Sequence, residues 1–384
     1  MLSCQKHLFS LPQDLHYLNC AYMSPLPLRV EEAGIAGIRK KRIPADIFPG
    51  DFLSGLENVR TRFAGLVGAG GSQRIALIPS VSYGLASVAR NLEIASSQNL
   101  IILTRQFPSN VYAWRRLAAT TGAEIRTVAP PERVADRARH WNERLLEAID
   151  RDTAVVAMAQ VHWTDGTQFD LVKVGERCRE VGAALVIDGT QSVGAQPFDV
   201  GGIEPDALIC AGYKWLMGPY SLGVAYYGSR FENGLPLEET WLSRVGSDDF
   251  PRLIDYRDEY RAGAVRYEPG EISNFALVPM LDAALELIAG WGVDSIAAYC
   301  RELTDLLVAE SAMAGFEVES ARWRSGHIVG LRMPHGLDPK KLQTELADRK
   351  ISVSVRGDVL RVSPSVYNDE ADIMALANAL HDVV

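Results

Sequence analysis

Apolar residues in the middle of the chain gather into short unbroken runs at 75–78, 100–103, 154–158, 184–187, 207–210 and 223–227. Runs of this length without polar alternation suit strands covered on both faces, as in a mostly parallel sheet. Helix-period patterns separate several of them, at 84–92, 111–120, 141–149 and 171–181. Strands alternating with helices predict an α/β layered fold. After about residue 260 the pattern changes. Two long helical stretches, 277–290 and 293–314, precede short strands at 328–333, 351–355 and 359–362, with helices at 339–347 and 370–380. The expected organisation is a large α/β domain over residues 15–260 and a smaller α+β domain over 261–384, joined by residues 1–14. A ligand site is expected at the C-terminal ends of the parallel strands, near the junction.

Composition narrows the function classes. The 384 residues are 47% hydrophobic and 23% charged, ordinary for a globular protein with a large core. A net charge of −9 argues against nucleic-acid binding, so anions must be held by local devices. No apolar run approaches the roughly 20 residues that span a bilayer, and the first residues lack a signal-peptide pattern. The five cysteines are scattered, with no CxxC pair, which argues against zinc or a disulfide framework and for the cytoplasm.

The run at 184–187 ends on Asp188, and Lys214 follows 26 residues later in Gly212-Tyr213-Lys214-Trp215. Pyridoxal phosphate chemistry needs this pair: an amine to hold the cofactor as a Schiff base, and a carboxylate to keep its pyridine nitrogen protonated. A strand-end aspartate and a surface lysine are the plainer explanation of either residue alone. Further groups stand at other strand ends. Val81 and Ser82 open a helix whose free amides suit a phosphate, although a serine there is also an ordinary cap. Phe107, in Phe107-Pro108-Ser109-Asn110, can stack on a flat ring or simply fill the core. His162 and Trp163 precede an Asp-Gly turn. Gln191 lies three residues past Asp188, and Arg361 alternates out of a short apolar strand, where an arginine can grip a carboxylate.

With these motifs the chain resembles the class V aminotransferase-like family of fold-type I pyridoxal phosphate enzymes. That family includes cysteine desulfurases, selenocysteine lyases, kynureninases and isopenicillin N epimerase-like proteins. The resemblance runs from Tyr17-Leu18-Asn19-Cys20-Ala21-Tyr22 to the segment around Arg361 and is most specific at 186–195 and 212–214. It implies Lys214 as the Schiff-base lysine and Asp188 as the pyridinium partner. It implies Gln191 on the cofactor's phenolic oxygen, and Val81, Ser82 and Tyr213 on its phosphate. Phe107 takes the ring-stacking position, and Arg361 holds the substrate carboxylate. Ser273 and Asn274 match a loop that reaches a partner subunit's phosphate, which implies a homodimer. Tyr22, His162, Trp163 and Arg356 are candidates for the remaining substrate contacts.

The family's desulfurases carry a catalytic cysteine shortly before the final arginine, and residues 351–359 contain none. Kynureninases usually have histidine where this chain has Gln191. The epimerase-like branch fits best in outline. The expected enzyme works on an amino acid through an external aldimine and a Cα carbanion, ending in transamination, β-elimination or epimerisation. A catalytically inert relative, or a nucleotide-binding α/β protein with Pro79–Gly84 as its phosphate loop, are the other classes. The second lacks a GxGxxG or GxxxxGK[ST] pattern.

Overall fold

The computed structural model describes residues 2–132 and 135–383. Its strands are β1 (His16–Tyr17), β2 (Ile75–Ile78), β3 (Asn99–Leu103), β4 (Glu124–Val128), β5 (Thr153–Ala159), β6 (Ala184–Asp188), β7 (Ala207–Ala211), β8 (Gly223–Tyr227), β9 (Val329–Arg332), β10 (Ile351–Ser352), β11 (Ser354–Arg356) and β12 (Val359–Val362). The α-helices are α1 (Leu28–Lys40), α2 (Ser54–Val67), α3 (Val81–Arg90), α4 (Ser109–Thr121), α5 (Arg137–Ala148), α6 (Leu171–Val181), α7 (Val200–Ile203), α8 (Leu277–Trp291), α9 (Val293–Met313), α10 (Pro339–Asp348) and α11 (Glu370–Val383).

Seven strands form the central sheet in the order β2-β8-β7-β6-β5-β3-β4. Only β8 runs against its neighbours, pairing antiparallel with β2 and β7. The unbroken apolar strands explain the layering. Along β2, Ile75 and Leu77 enter one core while Ala76 and Ile78 enter another. Strand side chains alternate between faces, so two helical layers are needed to cover both. Chain punctuation follows local chemistry. Asp170 caps α6 by accepting from Lys173 N–H, and Gly182 ends it at φ +78°.

The C-terminal region builds a separate antiparallel sheet, β11-β12-β9, with its own apolar core of Leu303, Leu307, Val329, Leu360 and Leu376. The N-terminal segment joins it. β1 pairs with β10, and Lys6 and His16 both bind Asp372. Of the expected elements, the sheet strands and the helices after residue 80 appear within a few residues of their predicted positions. The expected strand at 351–355 is divided into β10 and β11, which belong to different sheets.

Candidate functional site

The C-terminal ends of β2, β3, β5, β6 and β7 surround a cavity of about 350 Å³, within the range of small-ligand sites. It brings together Val81, Ser82, Phe107, His162, Trp163, Asp188, Gln191, Tyr213 and Lys214. These residues come from five separate stretches of sequence.

Asp188 ends β6 and is buried, with Oδ1 accepting from Thr190 N–H at 3.0 Å. Burial pushes its carboxyl above the usual carboxylate range, opposed by the Thr190 hydrogen bonds and the charge of Lys214. Lys214 follows β7 and is only 6% exposed. Burial pulls its amine down to about 8, with Asp188 resisting and Arg361 assisting. Nζ lies 5.3 Å from the centre of the Phe107 ring and 5.6 Å from that of Tyr213. The Phe107 ring stands edge-to-face on Trp163, with centres 5.5 Å apart. Burial also raises the Tyr213 phenol.

The Gln191 amide has an assigned orientation. Its Nε2 donates to Ala21 O at 3.0 Å and its Oε1 accepts from Trp215 Nε1 at 2.9 Å. A flipped amide would face acceptor with acceptor and donor with donor, so this orientation holds. One N–H of the amide remains for a ligand. At the start of α3, Ser80 is the cap: its Oγ accepts from Tyr83 N–H at 3.1 Å and lies 2.9 Å from Ser82 Oγ. The amides of Val81 and Ser82 precede the first intrahelical bond and point out of the helix end, as at an anion site.

His162 is present but engaged. Its Nε2 donates to Thr104 O at 3.1 Å and its Nδ1 accepts from the Thr164 hydroxyl at 2.7 Å. Burial keeps its pKa below the ordinary value, so it stands as a neutral wall. Trp163 donates its indole N–H to Arg105 O and carries the Arg356 guanidinium 5.3 Å from its ring centre.

Five sequence candidates lie outside the cavity lining. Arg361 is fully buried in β12 rather than solvated. Its Nη1 donates to Trp163 O at 2.7 Å, and its Nη2 lies 3.4 Å from Asn19 Oδ1 and 3.3 Å from Ser354 Oγ. Its Nε has no hydrogen-bond partner among the described residues, and burial pulls its pKa down to about 9. Arg356 donates to Val355 O and also has an orphaned Nε. Tyr22 is 57% exposed. Asn274 Oδ1 accepts from Ala276 and Leu277 N–H just before α8, and Ser273 precedes it.

Sequence reasoning did not single out Gln106, Asn110 or Thr190. Gln106 donates to Ala157 O, and Asn110 joins it to Trp114 Nε1. This network stiffens the turn that presents Phe107. The spacing Gln106-x-x-x-Asn110-x-x-x-Trp114 was its only trace in the sequence.

The donor set fits pyridoxal phosphate: a desolvated amine, a buried carboxylate, an aromatic face, a spare amide N–H and an unfilled helix terminus. Similarity to known proteins agrees. The chain is 26% identical over 374 residues to the isopenicillin N epimerase of Streptomyces clavuligerus, covering 94% of this chain and 93% of that protein. It is 25% identical over 260 residues to a cysteine desulfurase of Enterobacter sp. (strain 638), covering 67% and 62% of the two chains. Its fold matches the apo cysteine desulfurase from Thermococcus onnurineus NA1 with a TM-score of 0.85 at 20% identity, over 100% of this chain and 99% of that one. Residues 48–376 match the Aminotransferase class-V family, so the chain belongs to that family of pyridoxal phosphate-dependent enzymes.

Proposed function

We propose that this enzyme acts as an amino-acid aminotransferase in which Lys214 is the single proton carrier. The observation behind this is the pairing of one desolvated amine at about 8 with a histidine whose two nitrogens are already occupied. A near-neutral amine is suited to remove a proton and return it. Pyridoxal phosphate, when bound, supplies the electron sink. Lys214 would hold the cofactor and is the amine that would take the α-proton of the substrate. Asp188 keeps the proton on the ring nitrogen. Gln191 directs its spare N–H at the phenolic oxygen, and Phe107 covers one face of the ring. Val81, Ser82 and Tyr213 hold the phosphate. Arg361 pairs with the substrate carboxylate; its burial without an acidic partner and its orphaned Nε support this role. Trp163, Arg356 and Tyr22 border the side-chain end, and His162 shapes the wall behind them.

A second reading is β-elimination, which needs the same α-proton removal by the same amine. Cleavage through a thiol of this chain is not part of it, because β10, β11 and the start of β12 contain no cysteine. Two-base epimerisation would need a second proton carrier on the face opposite Lys214.

In this reading residues 15–260 form the cofactor domain, and 261–384 with 1–14 form the small one. The working unit is a cytoplasmic homodimer in which Ser273 and Asn274 reach the partner's phosphate. Their position outside their own cavity supports that arrangement.

The test is a visible-spectrum titration of the cofactor-loaded protein against an amino-acid panel without keto acid. Stoichiometric bleaching by one amino acid, reversed by a keto acid, is the expected result. Multiple turnovers with the band intact would replace transamination with elimination or epimerisation, and product analysis would name which.

A further inference from the structure

We infer that His327, delivered by the C-terminal region, is a positioning residue that clamps Gln191 and thereby sets the hydrogen bond Gln191 offers to the cofactor ring. This rests on the assignment of Gln191 to the phenolic oxygen made above.

His327 is buried, and its Nε2 lies 2.6 Å from the main-chain oxygen of Gln191. A carbonyl only accepts, so Nε2 carries the hydrogen. The same ring stands edge-on to Trp215, with centres 4.5 Å apart and planes at 80°. Trp215 in turn donates to Gln191 Oε1. One imidazole therefore fixes Gln191 twice, directly at its main chain and through Trp215 at its side chain. Burial, with Arg301 adding to it, lowers the imidazole to about 4, so the clamp is neutral under ordinary conditions.

The segment that carries His327 is built for this reach. Gln168 N–H donates to Trp323 O at 2.9 Å, and Ser325 N–H donates to Gly166 O at 2.9 Å. Gly166 has φ +77°, and a Cβ there would sit 2.2 Å from Ile328 O. Only glycine allows the two backbones to close to that distance. The segment thus zips onto the loop bearing His162 and Trp163 and then places His327 beneath Gln191. The C-terminal region is tied to the cofactor seat at this point.

The test compares His327→Phe, His327→Gln, Gln191→Leu and the double variant His327→Phe/Gln191→Leu, each loaded with pyridoxal phosphate. Readouts are the apparent pKa of the Lys214–cofactor chromophore, the rate of cofactor loss into a trap, and kcat and KM separately. Phenylalanine keeps the ring contact and removes the donor. Glutamine restores a donor near the same place. His327→Phe is expected to move the chromophore pKa by about half a pH unit or more and to speed cofactor loss about tenfold, as loss of one hydrogen bond should. It should lower kcat while KM stays within about twofold. His327→Gln is expected to recover most of each value. In the Gln191→Leu background His327→Phe should add little, since both act through one residue.

Wild-type behaviour of His327→Phe, or full additivity with Gln191→Leu, would overturn the inference. If His327→Phe does not fold, His327→Leu, which also lacks a donor, is read the same way: wild-type values overturn the clamp, and values moved toward those of Gln191→Leu, with little further change in the Gln191→Leu background, uphold it. A wild-type chain that forms no chromophore would reject the reading of the site itself, and this inference with it.

Discussion

Burying Lys214 has a cost that the cofactor-free protein should reveal. Its amine falls from 10.5 to about 8 on folding. At 1.36 kcal/mol per pH unit this corresponds to about 3 kcal/mol of destabilisation at pH 7. The sign follows from proton counting. Between about 8 and 10.5 the unfolded chain holds more protons than the folded one, so stability rises with pH across that window. Below it the full penalty is present, and above it none remains. Lys214→Met keeps the shape and removes the charge, so it should stabilise the cofactor-free chain at pH 7 by up to about 3 kcal/mol. Asp188 loses a favourable neighbour, which trims the gain. For a chain of this length the change corresponds to a rise in Tm of about 3–6 °C. Thermal melts of both proteins at pH 7 and near pH 10.5 test it. A variant melting at or below wild type at pH 7, or a difference that does not shrink as pH rises, would refute the argument.

Arg361→Ala should raise KM for amino acids about 30-fold or more, because the carboxylate loses a charge-assisted pair; steady-state kinetics with an unchanged KM would place the carboxylate elsewhere. Asp188→Asn should retain the cofactor absorption but lower kcat by at least about a hundredfold, measured by single turnover, since a neutral amide cannot hold the ring-nitrogen proton. Glu268→Gln should destabilise the protein by about 3–5 kcal/mol in a thermal or urea melt. Glu268 is buried and accepts from Arg60 Nε, Arg60 Nη2 and Leu77 N–H, so its replacement leaves the buried Arg60 charge with only the more exposed Glu57 carboxylate at 3.1 Å.

Much of this was legible in the chain because buried parallel strands leave a strong signal. β5, β6 and β7 read as plain apolar runs, and their ends named Asp188 and the Lys214 turn. β4 left no such signal: it is an edge strand, Glu124-Ile125-Arg126-Thr127-Val128, mostly out of the core. Charged edge strands avoid pairing with other chains and so look like loops. The pair α1 and α2 also went unassigned. In the first the buried face is made largely by Gly34 and Gly37, which lie against Met280 and Phe275, and Gly55 and Gly65 interrupt the second, so neither shows a continuous apolar stripe. Arg361 read as an arginine alternating out of a short apolar strand; its burial is a property of the folded sheet rather than of the strand's own sequence. His327 could not be found at all, because its partner Gln191 lies 136 residues away.

The antiparallel strand β8 has an effect on stereochemistry. It returns directly beside β7, so the segment carrying Lys214 is pinned at both ends: Gly212 N–H donates to Leu222 O, and Ala211 pairs with Gly223. Ser24 N–H holds the preceding carbonyl of Tyr213, and Met217 N–H that of Lys214 itself. The lysine backbone is therefore a fixed pivot, and only the side-chain torsions swing. An amine on such a short leash sweeps one side of a plane. Deuterium carried from a labelled substrate should then reappear in product without full exchange into water, and with a single handedness.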